Sequence, residues 1–432
     1  MIKKLRYLFL CTIFAFNFAL AQTNVSGGIF ANTTYTLANS PYIVTDHLVL
    51  FPNFTLTIEP GVEFKFDSGK RLEIRGELIA IGNSSNRITF TSNATTPNKG
   101  DWTGVQIKNS LGAKASFEYC NFEYASTSTH AECCHDGGPI YYSHCKFENN
   151  TTAVGGYTAY DINMDYCEFN NNTYGITQAD KIVTNATFTN NDFGLYQTER
   201  ISIYNSTFTN NGTALYGGRG VIDNTVITNN TIGVQSFFEG FEIRNSDISN
   251  NDVGIKTGNY SGGAAVIEEN TICDNTTYNV ENLDNINKDL TSNCWCLEDV
   301  AAIEAKLKDG YDDVNLGLFN YSIYDPTCTQ ITANTIKDPT LPAPPPLSNE
   351  EFEAILSTIY PNPSSDTVTV QLNNTLQNVE ISLFSIEGQL VYKNTLQNSA
   401  SFSISLDRLP ASVYIMKLKT NKGIVTSKIV KE

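Results

Sequence analysis

Basic residues are scarce in this chain of 432 residues: 28 Lys and Arg stand against 45 Asp and Glu, a formal net charge of −17. Such a surface repels phosphate backbones and anionic headgroups, so nucleic acid and anionic membrane are excluded as expected partners. It also weighs against a polyanionic glycan. Histidine is rarer still, at four residues, and three of them (His130, His135 and His144) fall in one short stretch. Beyond the N-terminus no apolar run reaches membrane-spanning length. Helical periodicity is nearly missing too; it surfaces at Val300, Ile303 and Leu307, ended by Gly310. No catalytic motif is present.

The N-terminus has Lys3, Lys4 and Arg6, an apolar run from Tyr7 to Phe16, then Ala19-Leu20-Ala21. This pattern predicts a secretory signal peptide over residues 1–21, cleaved before Gln22. Cys11 follows the bulky Leu10 inside the run, which argues against a lipoprotein signal. Cleavage leaves 25 basic residues against 45 acidic ones and nine of the ten cysteines. An odd number in an oxidising setting leaves at least one cysteine unpaired within the chain. Residues 351–432 carry seven charges of each sign, so the acidity lies in the body.

One phrase recurs seven times over residues 145–280: CKFENN at Cys145, CEFNNN at Cys167, ATFTNN at Ala186, STFTNN at Ser206, TVITNN at Thr225, SDISNN at Ser246 and TICDN at Thr271. Its apolar centres are Phe147, Phe169, Phe188, Phe208, Ile227, Ile248 and Ile272, at steps of 22, 19, 20, 19, 21 and 24. A period near twenty built from short β-rich units predicts a solenoid. Coiling one chain so that each turn adds a strand to each of about three sheets stacks equivalent residues at roughly 4.8 Å. The centres then form one inward apolar file, with Ala186 inward and Thr187 and Thr189 outward. The Asn pairs fall at the following corner, where Asn tolerates left-handed backbone and its amide reaches the rungs above and below. The next inward positions are Ile176, Leu195, Leu215, Val234 and Ile255, preceded by Gly175, Gly194, Ala214, Gly233 and Gly254. Roughly ten rungs are expected between about residues 40 and 290. Residues 41–92 read as short alternating strands, and Leu72 and Ile74 are expected to be buried with Glu73 and Arg75 wetted.

These opening strands resemble right-handed parallel β-helix proteins exported by Bacteroidetes-type bacteria. The matching residues are Ser40-Pro-Tyr-Ile-Val44, Leu56-Thr-Ile-Glu-Pro-Gly-Val62, Gly76-Glu-Leu-Ile-Ala80, Ile88-Thr-Phe-Thr-Ser92 and the tryptophan-bearing GDWTGVQI at 100–107. The resemblance implies a β-helix over residues 22–290 and a closing module over 291–328 that covers its open end. Residues 329–355, with Pro339, Pro342 and Pro344-Pro345-Pro346, read as a semi-rigid linker. Residues 356–432 resemble the C-terminal sorting domain of the type IX secretion system, through Tyr360-Pro-Asn-Pro363, Ile381-Ser-Leu-Phe384, Gly388-Gln-Leu-Val391, Leu409-Pro410, Val413-Tyr414 and Lys428-Ile-Val-Lys431. Ser412 departs from the glycine usual there. The resemblance implies the type IX machinery as a partner and a secreted or cell-surface destination. The fold class expected is all-β: a parallel β-helix followed by a small β-sandwich-like sorting domain.

Four sets of residues are candidates for chemistry. His130, Cys133, Cys134 and His135, with His144 and Cys145 nearby, combine thiolates and imidazoles suited to zinc, but H-x-x-C-C-H matches no zinc signature. No metal is favoured; Cys145 aligns with Cys120 and Cys167 in one inward column, where core packing or a disulfide explains it. Cys294, Cys296 and Cys328 bracket the closing module, and one disulfide there is expected to pin the last strand. The position after each Gly-aliphatic pair carries Thr177, Tyr196, Tyr216, Gln235 and Lys256, with Arg200, Arg219 and Arg244 in nearby corners. Stacked Tyr196 and Tyr216 beside Lys256, Arg200 and Arg219 make a sugar platform if an aromatic face meets a pyranose; otherwise exposed Tyr is good β-surface filler. Stacked Thr187 with Thr207, and Thr189 with Thr209 and Thr228, would make an ice-binding array, but Val226 and Asp247 interrupt it. The acids Asp161, Asp165, Asp180 and Asp223 look scattered, and Asp309 to Asn315 has oxygen donors without the spacing of a calcium loop, so no cofactor is expected. A non-catalytic, monomeric binding protein for a glycan or other surface ligand is the leading expectation. The alternatives are a polysaccharide lyase or glycoside hydrolase, and a structural surface rod.

Overall fold

A computed structural model describes residues 22–432, apart from 109–110, 133–137, 157–161, 179–180, 237–239, 259–265, 298, 322–355, 386–389, 408 and 421–422. The chain divides into two compact units, one up to Pro339 and one from Thr340, each with its own apolar core. The signal segment 1–21 and the Pro-rich segment 329–355 lie outside the described residues.

The first unit is a parallel β-helix of about 11 turns. Each regular turn gives one strand to each of three sheets, as in Ile162–Asp165, Glu168–Asn170 and Tyr174–Thr177. Each strand pairs in parallel with its equivalent one turn away: Phe169 opposite Phe188, Ile176 opposite Leu195, Met164 opposite Val183. The ladder starts earlier than the repeat suggested, at Thr23–Ile29, and runs on into the closing module, where Leu307–Lys308 pairs with the last full turn. That module is therefore partly one more rung rather than a separate cover. Its helix is short, Val300–Glu304, with Asp299 capping it.

The phenylalanine file is continuous. Phe90, Phe122, Phe147, Phe169, Phe188 and Phe208 stack with centroids 4.3–5.0 Å apart and ring planes within 8° of parallel, and all are fully buried. It begins one strand earlier still, at Phe64. Trp102 stacks on Phe66 at 4.1 Å and donates its Nε1–H to the Glu123 carbonyl.

The two asparagines of each repeat do different work. The first (Asn149, Asn171, Asn190, Asn210, Asn229, Asn250) adopts left-handed backbone, φ 53–58°, and turns the corner. The second is buried. Asn150, Asn172, Asn191, Asn211, Asn230, Asn251 and Asn275 form a ladder: from Asn172 on, each Oδ1 accepts the backbone N–H and the amide of the asparagine one rung before, at 2.9–3.0 Å, while Asn150 Oδ1 accepts the Ala125 N–H. Each Nδ2 also donates to the carbonyl of the inward Phe or Ile of the preceding turn, as Asn191 does to Phe169. The ladder thus satisfies polar groups that the corner would otherwise bury unpaired.

One expectation about burial changes, and one buried cation was not foreseen. Glu73 is not wetted: it is 2 % exposed, clamped by Arg71 and Arg75. Burial raises its carboxyl, but hydrogen bonds from Arg75 and Arg71 outweigh that and hold it below the usual carboxylate range. Lys181 occupies an inward register between Ile162 and Ile201. Its Nζ donates to the Thr177 and Gln178 carbonyls at 3.2 and 2.9 Å, and burial lowers its pKa to about 7. Between about pH 7 and 10.5 the unfolded chain holds a proton at this site that the folded chain lacks, so stability rises with pH across that window. Below it both states are protonated and the penalty is constant. Lys181→Met should remove up to about 1.4 kcal/mol per pH unit from that slope, read from urea midpoints at neutral and alkaline pH. Equal slopes in both proteins would place the ammonium in water.

The second unit is one sheet of five antiparallel strands, curled as a half-barrel over Val368, Val370, Ile381, Leu383, Ile404, Met416 and Leu418. Ser412 opens the strand Ser412–Thr420 without left-handed backbone, so nothing there demands the glycine usual in such domains.

Candidate functional site

On the third sheet, register carries one outward column from Glu73 to the closing module. Its members are Glu73, Gln106, His130, Gly155, Thr177, Tyr196, Tyr216, Gln235, Lys256, Glu281 and Lys308. Three of the five candidate ligand residues, Tyr196, Tyr216 and Lys256, share it. Arg219 lies past the bend of the same strand, opposite Gly240, in another column. Arg200's side chain lies outside the described residues.

Tyr196 and Tyr216 stack with centroids 5.1 Å apart and planes within 4°. Phe193 meets both rings edge-on at 5.1 and 5.3 Å, and Tyr174 lies 4.7 Å from Tyr196. All four are half-buried. Each tyrosine thus covers one face of the other, and the rings stack along the column at rung spacing, about 4.8 Å.

Charge along the column is compensated. Glu281 sits between Lys256 at 3.3 Å and Lys308 at 2.6 Å. Burial raises its carboxyl, but the Lys308 and Lys256 interactions hold it below the usual range. Lys256 therefore carries an ion pair. With Glu73 clamped at one end and Glu281 at the other, the stretch from Gln106 to Gln235 presents no carboxylate in this column.

The structure separates the members of the His-Cys stretch that it describes. His130 is half-buried in the outward column, its pKa lowered by burial against the opposing pull of Glu132. His144 stands at the corner between the first and second sheets. Cys145 is in the core. Cys133, Cys134 and His135 lie outside the described residues, and no group of three metal-ligating side chains occurs among the described ones. Cys120, Cys145 and Cys167 are free, fully buried thiols in one column, each near a carbonyl of the preceding turn (Ala80, Phe117 and Tyr142 at 3.3, 3.5 and 3.8 Å). Burial pushes the Cys120 and Cys167 thiols up, as packing residues in an apolar file require. In the closing module Cys296 is bonded to Cys273 of the last repeat, Cα atoms 5.7 Å apart, a bridge the sequence did not suggest. Cys294 is disulfide-bonded as well. Cys328 is outside the described residues.

Of the acids read as scattered, Asp165 and Asp223 share a first-sheet column but stand three rungs apart, through Thr184 and Tyr204. One pair was missed. On the second sheet Glu123 and Glu148 are register neighbours. Burial raises the Glu123 carboxyl above the usual range, opposed by a hydrogen bond from Thr91 and reinforced by Glu148. Reading the repeat one copy further back, from CNFE at Cys120 to CKFE at Cys145, would have placed this pair.

Residues 358–432 match the family described as the secretion system C-terminal sorting domain. A chain carrying this domain is exported by the type IX system to the cell surface or the extracellular space. A stretch of 79 residues is 36 % identical to Protein bark beetle of Drosophila melanogaster; it makes up 18 % of this chain and 2 % of that protein, so the chain spans a small fraction of the relative it matches.

Proposed function

We propose that this exported β-helix is a non-catalytic, monomeric binding protein that holds an uncharged, extended glycan along the third-sheet column from Thr177 to Lys256. The observation that carries the reading is the aromatic cluster of Tyr174, Phe193, Tyr196 and Tyr216, half-exposed and followed by Gln235 in the same column. Tyrosines combine an apolar body with a polar tip, the pairing that a sugar's alternating CH and OH surfaces require. Rung spacing repeats these groups along the sheet, so successive units of a linear chain meet equivalent partners. The net charge of −17 favours a neutral glycan over an acidic one.

A hydrolase reading has one observation on its side: the Glu123–Glu148 pair, with one carboxyl held above its usual range. It lies on a different sheet from the tyrosines, which makes the two readings separable. Mature protein should bind members of a neutral glycan panel and release no new reducing or unsaturated ends. Tyr196→Ala with Tyr216→Ala should weaken binding by about 10-fold or more, at an interaction scale near 1.5 kcal/mol. Product formation abolished by Glu123→Gln would transfer the function to the second sheet. Undiminished binding by the double variant would remove the tyrosine column from the site.

A further inference from the structure

A second aromatic ladder stands at the corner between the first and second sheets. Register places Arg87, Tyr119, His144 and Tyr166 on successive rungs, followed by Asn185. The Tyr119 and His144 rings stack at 4.6 Å and 18°, and His144 and Tyr166 at 5.0 Å and 12°. All three residues hold left-handed backbone, φ 47°, 52° and 50°. In later rungs this corner is Asn185, Asn205, Asn224 and Asn245, with φ 48–53°. Asparagine suits that conformation; for a bulky side chain it costs roughly 1 kcal/mol or more. Three successive rungs thus carry rings where the backbone favours asparagine.

The two ends of the ladder differ. At one end the Arg87 guanidinium lies over Tyr119, 5.5 Å from its centroid, tied down by hydrogen bonds to the Cys120 and His144 carbonyls and to Asn121 Oδ1. At the other end Tyr166 is 52 % exposed. Its neighbour Asn185 is drawn aside, donating its amide to Asp165 Oδ1 at 2.8 Å, where Thr184 Oγ1 also donates at 2.7 Å. Tyr166, half exposed at this end of the ladder, is thus the chain neighbour of a carboxylate, Asp165, that holds two donors of the next rung.

The geometry points to Tyr166 and Asp165 as a docking site for an arginine side chain on a basic partner protein, capping this end of the ladder as Arg87 caps the other. A guanidinium fits for three reasons. It is planar and stacks on an aromatic face, it is weakly hydrated, and it is cationic on a protein of net charge −17. A lysine ammonium shares only the charge.

The test titrates full-length mature protein with a fluorescent peptide of alternating Arg and Gly, and with its Lys-Gly counterpart. Arginine peptide should bind more tightly than lysine peptide. Tyr166→Asn, which installs the residue native to later rungs, should weaken arginine binding by about five- to tenfold, while Tyr166→Phe retains it. The Tyr196→Ala/Tyr216→Ala pair should leave peptide binding unchanged, so this site and the glycan column stand or fall separately. Equal binding of both peptides, no binding, or an unaltered Tyr166→Asn protein would overturn the site. A variant that melts earlier yet binds normally would also overturn it, leaving the ladder as a stabilising stack.

Discussion

Asn191→Ala should lower the stability of the β-helix by about 3–5 kcal/mol, while Asn190→Ala, one residue away, costs about 1. Asn191 is 1 % exposed and makes bonds in both directions along the ladder. Its Oδ1 is the acceptor for the Asn172 N–H and amide, and its Nδ2 donates to the Phe169 carbonyl and to Asn211 Oδ1. Alanine removes all four, leaving donors and an acceptor in a corner that water does not reach. A buried polar group without a partner costs roughly 1–3 kcal/mol. Asn190 is exposed and contributes its tolerance of φ 56°. Asn190→Gly should accordingly be nearly neutral. Urea midpoints, with hydrogen exchange of the rungs on either side, distinguish the positions, since damage in a solenoid stays with nearest neighbours. Equal costs at 190 and 191 would refute the division of labour within the repeated Asn pair.

Ending the chain at Thr340 should abolish appearance of the protein at the cell surface or in the medium, in a host with the type IX system, without unfolding the β-helix. The sorting family covers residues 358–432. The two units have separate cores: Phe64 to Leu307 belong to one cluster and Val368 to Ile429 to the other. Loss of the second unit therefore removes no side chain from the core of the first. Fractionation of cells making the full and shortened chains measures the effect. Surface delivery of the shortened chain would show that export is addressed elsewhere; an insoluble shortened chain would show that the first unit depends on the second.

The β-helix was legible because stacking makes position and environment periodic together. Phe147 to Ile272, Ala186 and the Asn pairs each recur at the turn length, and one repeat suffices to read them all. What escaped notice breaks that link. Glu73 looked wetted because alternation gives the side of the sheet a residue faces, while its burial comes from Arg71 and Arg75 two positions away on the same face. Lys181 is a polar residue at an inward register, legible only once Ile162 and Ile201 are known to flank it. The tyrosine column was visible from spacing, but whether its faces or edges point to solvent depends on rotamers, which spacing does not encode. The Tyr119–His144–Tyr166 ladder went unseen because the repeated phrase was read from its first residue (Cys145, Cys167) onward, and each ring stands one residue before a copy of it. The left-handed corner they occupy brings them together.

Affinity measured against oligosaccharide length tests the binding column most directly. For a neutral glycan that the mature protein holds, affinity should climb as each added unit reaches the next rung from Thr177 through Tyr196 and Tyr216 to Gln235, then level off. The double tyrosine variant should lose that climb. A single-unit ligand that binds as tightly as the longer chains, or a length dependence untouched by the tyrosine substitutions, would contradict an extended site on this sheet.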